Sequence, residues 1–93
     1  MENTVQRVFE VVASRKQNAP EDSYTAKLYA AGEMEILKKI GEEAVEVIVA
    51  ASKETEDRII YEMADLVYHN LVLLAERGLT WQQVEEELAR RIK

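Results

Sequence analysis

The chain has 93 residues and a mass of 10.7 kDa, and a domain this small buries only roughly 60–65% of the surface its unfolded form exposes, so help from a second subunit is expected. A composition of 47% apolar and 32% charged residues, with 3 Gly and 1 Pro, excludes a disordered, collagen-like or loop-dominated protein. The absence of cysteine removes disulfides, thiolate zinc sites and cysteine nucleophiles, and a net charge of −6, from 18 acids against 12 bases, argues against a coat for nucleic acid or anionic membrane.

The amino-terminal stretch Glu2 to Val12 is mixed and amphipathic, without the apolar run of a signal peptide. The longest uncharged apolar stretch, Asn70 to Ala75, falls far short of the roughly 20 residues that span a bilayer. A soluble cytoplasmic protein of one domain, residues 1–93, is the expectation.

Val5, Val8, Phe9 and Val12 recur at helical spacing and predict a first helix over 4–14. The polar stretch Arg15 to Asp22 holds the only proline and reads as the one real loop. A short helix over 23–31 follows, with Ser23 or Thr25 as cap and Gly32 as stop. The long pattern over 33–51 places Ile36, Leu37, Ile40, Ala44, Val47, Ile48 and Ala51 on one side. Gly41 within it costs about 1 kcal/mol relative to alanine, which predicts a kink or a close approach by another backbone or a ligand. After the polar break Ser52 to Asp57, a second long helix is expected over 55–77, stopped by Gly78 and antiparallel to the first. The last helix, 80–92, has a capping box in Thr80 and Gln83 and a hydrophobic staple in Leu79 and Val84. Its expected inward residues are Val84, Leu88 and Ile92. No segment alternates as a strand does, so the fold class is all-α.

Two acidic clusters stand out, Glu42, Glu43 and Glu46 on one long helix and Glu62 and Asp65 on the other. At about 100° per residue the first three share one stripe, bordered by Val45, Val49, Ile36, Ile40 and Val47 instead of polar neighbours. Glu62, Asp65 and His69 repeat the arrangement. Carboxylates among aliphatics must be neutralised, paired or metal-bound, because burying one alone costs several kcal/mol. If the helices pack antiparallel, four or five carboxylates converge with few cations between them. An all-oxygen set selects a hard divalent ion, Mg²⁺ first and Mn²⁺ second. A single histidine rules out a di-iron arrangement with one histidine on each of two helices. Ordinary helical ion pairs to Lys38, Lys39 and Lys53 are the competing reading, and His69 alone reads more readily as a satisfied core histidine than as a ligand.

The block KKIGEEAVEVIVAA (Lys38 to Ala51), followed by EMAD (Glu62 to Asp65), resembles the EExxE…ExxD signature of the MazG-like, all-α nucleoside triphosphate pyrophosphohydrolases. The segments SYTAKLYAAG (Ser23 to Gly32) and ADLVYHNLVLLAERGL (Ala64 to Leu79) resemble more specifically the phosphoribosyl-ATP pyrophosphatases of histidine biosynthesis. The resemblance implies a MazG-like helical bundle, a homodimer or higher homo-oligomer, and hydrolysis of 1-(5-phosphoribosyl)-ATP to 1-(5-phosphoribosyl)-AMP and pyrophosphate. It also implies that Glu43, Glu46, Glu62 and Asp65 ligate Mg²⁺. Glu42, with Glu43 and Glu46, would carry the catalysis by holding a second metal, a metal-bound water or the orientation of the nucleophile. Ser23, Thr25, Lys27 and Lys39 would meet phosphate or ribose. Such hydrolysis asks the protein for charge neutralisation, an activated water and alignment, and an interposed metal explains how an acidic chain can bind a polyanion. Trp81, Val45 and Val49 are candidate subunit contacts, although Trp81 equally suits packing onto its own bundle. The alternatives are a house-cleaning pyrophosphohydrolase of (deoxy)nucleoside triphosphates and a non-catalytic helical dimerisation module.

Overall fold

The computed structural model describes residues 3–92, so the expected domain limits at 1 and 93 lie outside it. Among the described residues there are five helices and no strand: α1 Thr4–Ser14, α2 Tyr24–Ala31, α3 Glu33–Lys53, α4 Glu56–Glu76 and α5 Trp81–Ala89. Each start is chemically marked. Asn3, Ser23, Thr55 and Thr80 accept from the backbone N–H groups of Gln6, Ala26, Arg58 and Gln83, which satisfies donors a helix cannot pair internally. Gly32, at φ 102°, ends α2 and opens α3 in a single residue, a conformation that disfavours any side chain.

The two 21-residue helices α3 and α4, each about 31 Å long at 1.5 Å per residue, are joined by Glu54 and Thr55 alone and pack against each other as an antiparallel pair. Helix α1 lies on α4, and α2 on α3. Phe9, Val12, Leu28, Ile36, Leu71, Val72 and Ala75 form the buried core, with Trp81 packed against it from the start of α5. Trp81 therefore serves its own bundle. The loop after α1 is pinned to the far end of α4, where Lys16 reaches the Ala75 carbonyl at 3.5 Å and the Glu76 carboxylate at 3.7 Å.

Three details differ from the sequence-based expectation. Helix α5 ends at Ala89 instead of 92, and Leu88 and Ile92 are exposed, so a further turn would gain little apolar burial against the described residues. Leu37, Ile48 and Ala51, expected inward, are also exposed, since the buried seam of α3 runs through Ile36, Glu43 and Ala50. Gly41 continues the helix, and beyond its own turn of backbone no atom of the described residues lies within 4 Å of where its Cβ would stand. Among the described residues no other backbone crosses there.

Candidate active site

Between their apolar contacts, α3 and α4 bury Glu43 and Glu62, at 8% and 4% exposure. Glu43 faces Asp65 of α4, with a carboxylate oxygen of each within 4.8 Å of the other. Burial pushes the Glu43 carboxyl up to about 7; the hydrogen bond to Asp65 and the charges of Asp65 and Glu62 add to the rise, while the Lys39 ammonium opposes it. Glu43 thus holds a proton close to neutrality that an ordinary glutamate would have lost.

Glu62 is neutralised differently. Arg58, one turn earlier on α4, forms an ion pair with it and lays its guanidinium 4.7 Å from the centre of the Tyr61 ring. This local cation escaped the reading of the acidic clusters, although an Arg and a Glu four residues apart on a helix are a recognisable pair. Lys39 sits over the other side of the site, 3.7 Å from Glu42 and 4.0 Å from Glu43.

The expected site residues separate into those the fold brings together and those it does not. Glu43 and Asp65 are joined, with Glu62 and Lys39 beside them. Glu42 and Glu46 are exposed on the flank of α3. Ser23 and Thr25 spend their oxygens inside the fold, Ser23 on the Ala26 N–H and the buried Thr25 on the Tyr68 hydroxyl. Lys27 is exposed on α2.

Two residues outside that set reach the same place. His69 is 2% exposed and stands one turn after Asp65, with Nδ1 2.8 Å from the Asp65 backbone carbonyl and Nε2 2.8 Å from the Tyr24 hydroxyl. Glu43, Asp65 and His69 each bring one possible donor atom to within 4.8 Å of the others, a cluster of a size that can hold a metal ion. Two carboxylates, one of them strained by burial toward its neutral form, suit a hard divalent cation. The imidazole is less suited, because both of its nitrogens are already in hydrogen bonds. An apolar groove of about 530 Å³ between α1 and α4, lined by Val5, Val8, Met63, Val67 and Leu71 among others, offers almost nothing for a charged ligand and is separate from this chemistry.

An all-α bundle whose two longest helices share a carboxylate centre belongs to the class of helical proteins that build their sites from facing helices. Comparison with known proteins narrows the class. The family described as phosphoribosyl-ATP pyrophosphohydrolase matches residues 5–92, and the chain belongs to that family of hydrolases. The chain is 49% identical over 87 residues to a phosphoribosyl-ATP pyrophosphatase of Limosilactobacillus fermentum, covering 94% of this chain and 82% of the relative. It is 44% identical over 93 residues to a phosphoribosyl-ATP pyrophosphatase of Metallosphaera sedula, with both chains covered in full. A histidine biosynthesis bifunctional protein of Caldanaerobacter subterraneus is 45% identical over 87 residues, which is 94% of this chain and 42% of that protein.

Proposed function

We propose that the protein hydrolyses 1-(5-phosphoribosyl)-ATP to 1-(5-phosphoribosyl)-AMP and pyrophosphate in histidine biosynthesis, with Mg²⁺ as the cofactor and Mn²⁺ as its substitute. The names of its relatives supply the substrate. The observation that carries the chemistry is the buried Glu43 facing Asp65 across two helices, their donor oxygens within 4.8 Å of each other, because such a pair gains most from replacing a proton by a cation.

Glu43 and Asp65 would hold the ion, with Glu62 in reserve on Arg58 and Glu46 at the exposed rim. A bound divalent cation supplies charge neutralisation on the phosphate oxygens and lowers the pKa of water at the site. Lys39 adds a second positive charge for the polyphosphate, and Glu42, held by Lys39, is the carboxylate in position to accept a proton. Lys27, exposed on α2, is a further phosphate contact, whereas the hydroxyls of Ser23 and Thr25 act by fixing α2.

A homodimer completes this reading. Met34, Leu37, Gly41, Val45 and Ile48 are exposed on α3 and fall within about 80° of one another on its surface. Unpartnered apolar stripes of this kind mark association, and Gly41 at its centre would let a second copy's backbone come close. Glu42 and Glu46 lie between that stripe and Glu43, so a partner would enclose them. Among the described residues no helix is long and apolar enough to cross a membrane, and a cytoplasmic location with no nucleic-acid partner belongs to the same proposal.

The test is a substrate panel. Turnover of phosphoribosyl-ATP well above that of ATP and the deoxynucleoside triphosphates is expected. Preference for free deoxynucleoside triphosphates would assign the house-cleaning reaction instead, and no turnover of any of them would leave a non-catalytic module.

A further inference from the structure

The hydrogen-bond chain that ends at Tyr24 has a direction. The Asp65 backbone carbonyl can only accept, so His69 Nδ1 donates to it. In the neutral ring Nε2 then carries a lone pair and no hydrogen, and the Tyr24 hydroxyl must donate to it across 2.8 Å. The ring's orientation is fixed from both sides, edge-on to Tyr24 at 5.7 Å and 82° and to Tyr68 at 5.7 Å and 77°. His69 is buried, whereas Tyr24 is 46% exposed. Burial raises the Tyr24 pKa, Asp65, Glu43 and Tyr68 add to it and Lys39 opposes it, so the phenol stays protonated and lies within the field of the carboxylate site.

We propose that Tyr24 is a substrate-contacting residue of this site and His69 the positioning residue that aims it, with the phenol oxygen accepting a hydrogen bond from a sugar hydroxyl of the nucleotide. The proposal rests on the pyrophosphatase reading above and adds to it a specificity for the sugar. Its chemistry follows from the direction of the chain. With its only hydrogen given inward to His69, the Tyr24 oxygen presents lone pairs outward. A phosphate oxygen, also an acceptor, finds no partner there, and a donor does. In a nucleotide the polyphosphate is attached directly to the ribose, so the donors nearest to phosphates engaged at Glu43, Asp65 and Lys39 are the ribose 2′- and 3′-hydroxyls; the base lies beyond the sugar. Ser23 and Thr25, on either side of Tyr24, fix the start of α2 through their own hydrogen bonds and hold the ring in place.

Two measurements test this on the full-length untagged protein. The chain has one histidine, so a long-range ¹H–¹⁵N spectrum at pH 7.5 shows a single imidazole. It is expected to show Nδ1 protonated and Nε2 bare, with the Nε2 resonance moving in Tyr24→Phe while Nδ1 stays protonated. A ring protonated at Nε2, or an Nε2 signal indifferent to Tyr24→Phe, would overturn the proposal whether or not the protein turns over any substrate. The second is a cycle of Tyr24→Phe against the 2′-deoxy and 3′-deoxy forms of phosphoribosyl-ATP. The substitution is expected to raise KM about 10-fold with kcat within 3-fold, and one of the deoxy substrates should show the same loss on wild type and no further loss on the variant. Independent, multiplying losses, a fall in kcat at unchanged KM, or no effect at all would each refute the sugar contact in an active enzyme. Inactivity of the wild type would instead bring down the pyrophosphatase reading, and this contact with it.

Discussion

Replacing Glu43 by glutamine should make the metal-free protein more stable at alkaline pH and leave it nearly unchanged at acid pH. The side chain is 8% exposed, and its carboxyl is raised from an ordinary 4.5 to about 7. Between those two values the folded protein binds a proton that the unfolded chain has released. Stability therefore falls as pH rises through this window, and the full penalty is present above pH 7. At about 1.4 kcal/mol for each tenfold change in proton affinity, the penalty is at most about 3.5 kcal/mol. Solvent at the open side of the site screens part of it, so about 1–2 kcal/mol is expected. Glutamine resembles the protonated acid in shape and carries no charge. Urea unfolding in chelator, at one protein concentration and at pH 5 and pH 8.5, should show Glu43→Gln and wild type within about 0.5 kcal/mol at pH 5, with the variant ahead by about 1–2 kcal/mol at pH 8.5. Addition of Mg²⁺ should close that gap by stabilising wild type alone. A variant destabilised equally at both pH values would refute the reasoning and make Glu43 an ordinary partner of Lys39.

Three other outcomes follow from the same structure. Because the proton on Glu43 competes with a cation, affinity for Mn²⁺ measured by calorimetry should rise about 10-fold per pH unit below pH 7 and level off above it; an affinity flat from pH 6 to 8 would contradict a site at Glu43. Thr80→Ala removes the capping box in which the Thr80 hydroxyl accepts from the Gln83 N–H at 3.2 Å and the Gln83 side chain accepts from the Thr80 N–H at 2.9 Å, at a cost of about 1 kcal/mol. Helix α5 contributes no fully buried residue, so hydrogen exchange should speed up chiefly within 81–89 while α3 and α4 keep their protection. Tyr24→Phe should show the KM loss and the imidazole signature described above.

The helices were largely legible because their signals are local. Thr80 caps where its spacing predicts, Ser23 is the one of the two candidate caps that opens α2, and α1, with its apolar residues at helical spacing and no internal break, has the expected bounds. Orientation about the helix axis was less so. Glu42, Glu43 and Glu46 lie within about 100° of one another, and which of them enters the seam depends on how α4 and α2 lean on α3. Packing turns Ile36, Glu43 and Ala50 inward and leaves Glu42 and Glu46 at the flank. The acidic site itself could be read, since carboxylates bordered by aliphatics are expensive to bury. Its support could not: Tyr24 meets His69 across 45 positions, and no periodicity links residues so far apart in sequence. Arg58 is the opposite case, a partner of Glu62 at helical spacing whose signal was present but outweighed by the count of acids.

The most direct measurement of the central claim is pyrophosphate release from enzymatically generated phosphoribosyl-ATP, with Mg²⁺ and with chelator, by wild type and by Glu43→Gln. The account predicts release by wild type that requires Mg²⁺ and falls at least 100-fold in the variant, with the helical signal of both proteins unchanged. Release that persists in chelator, or that survives the loss of Glu43, would contradict it.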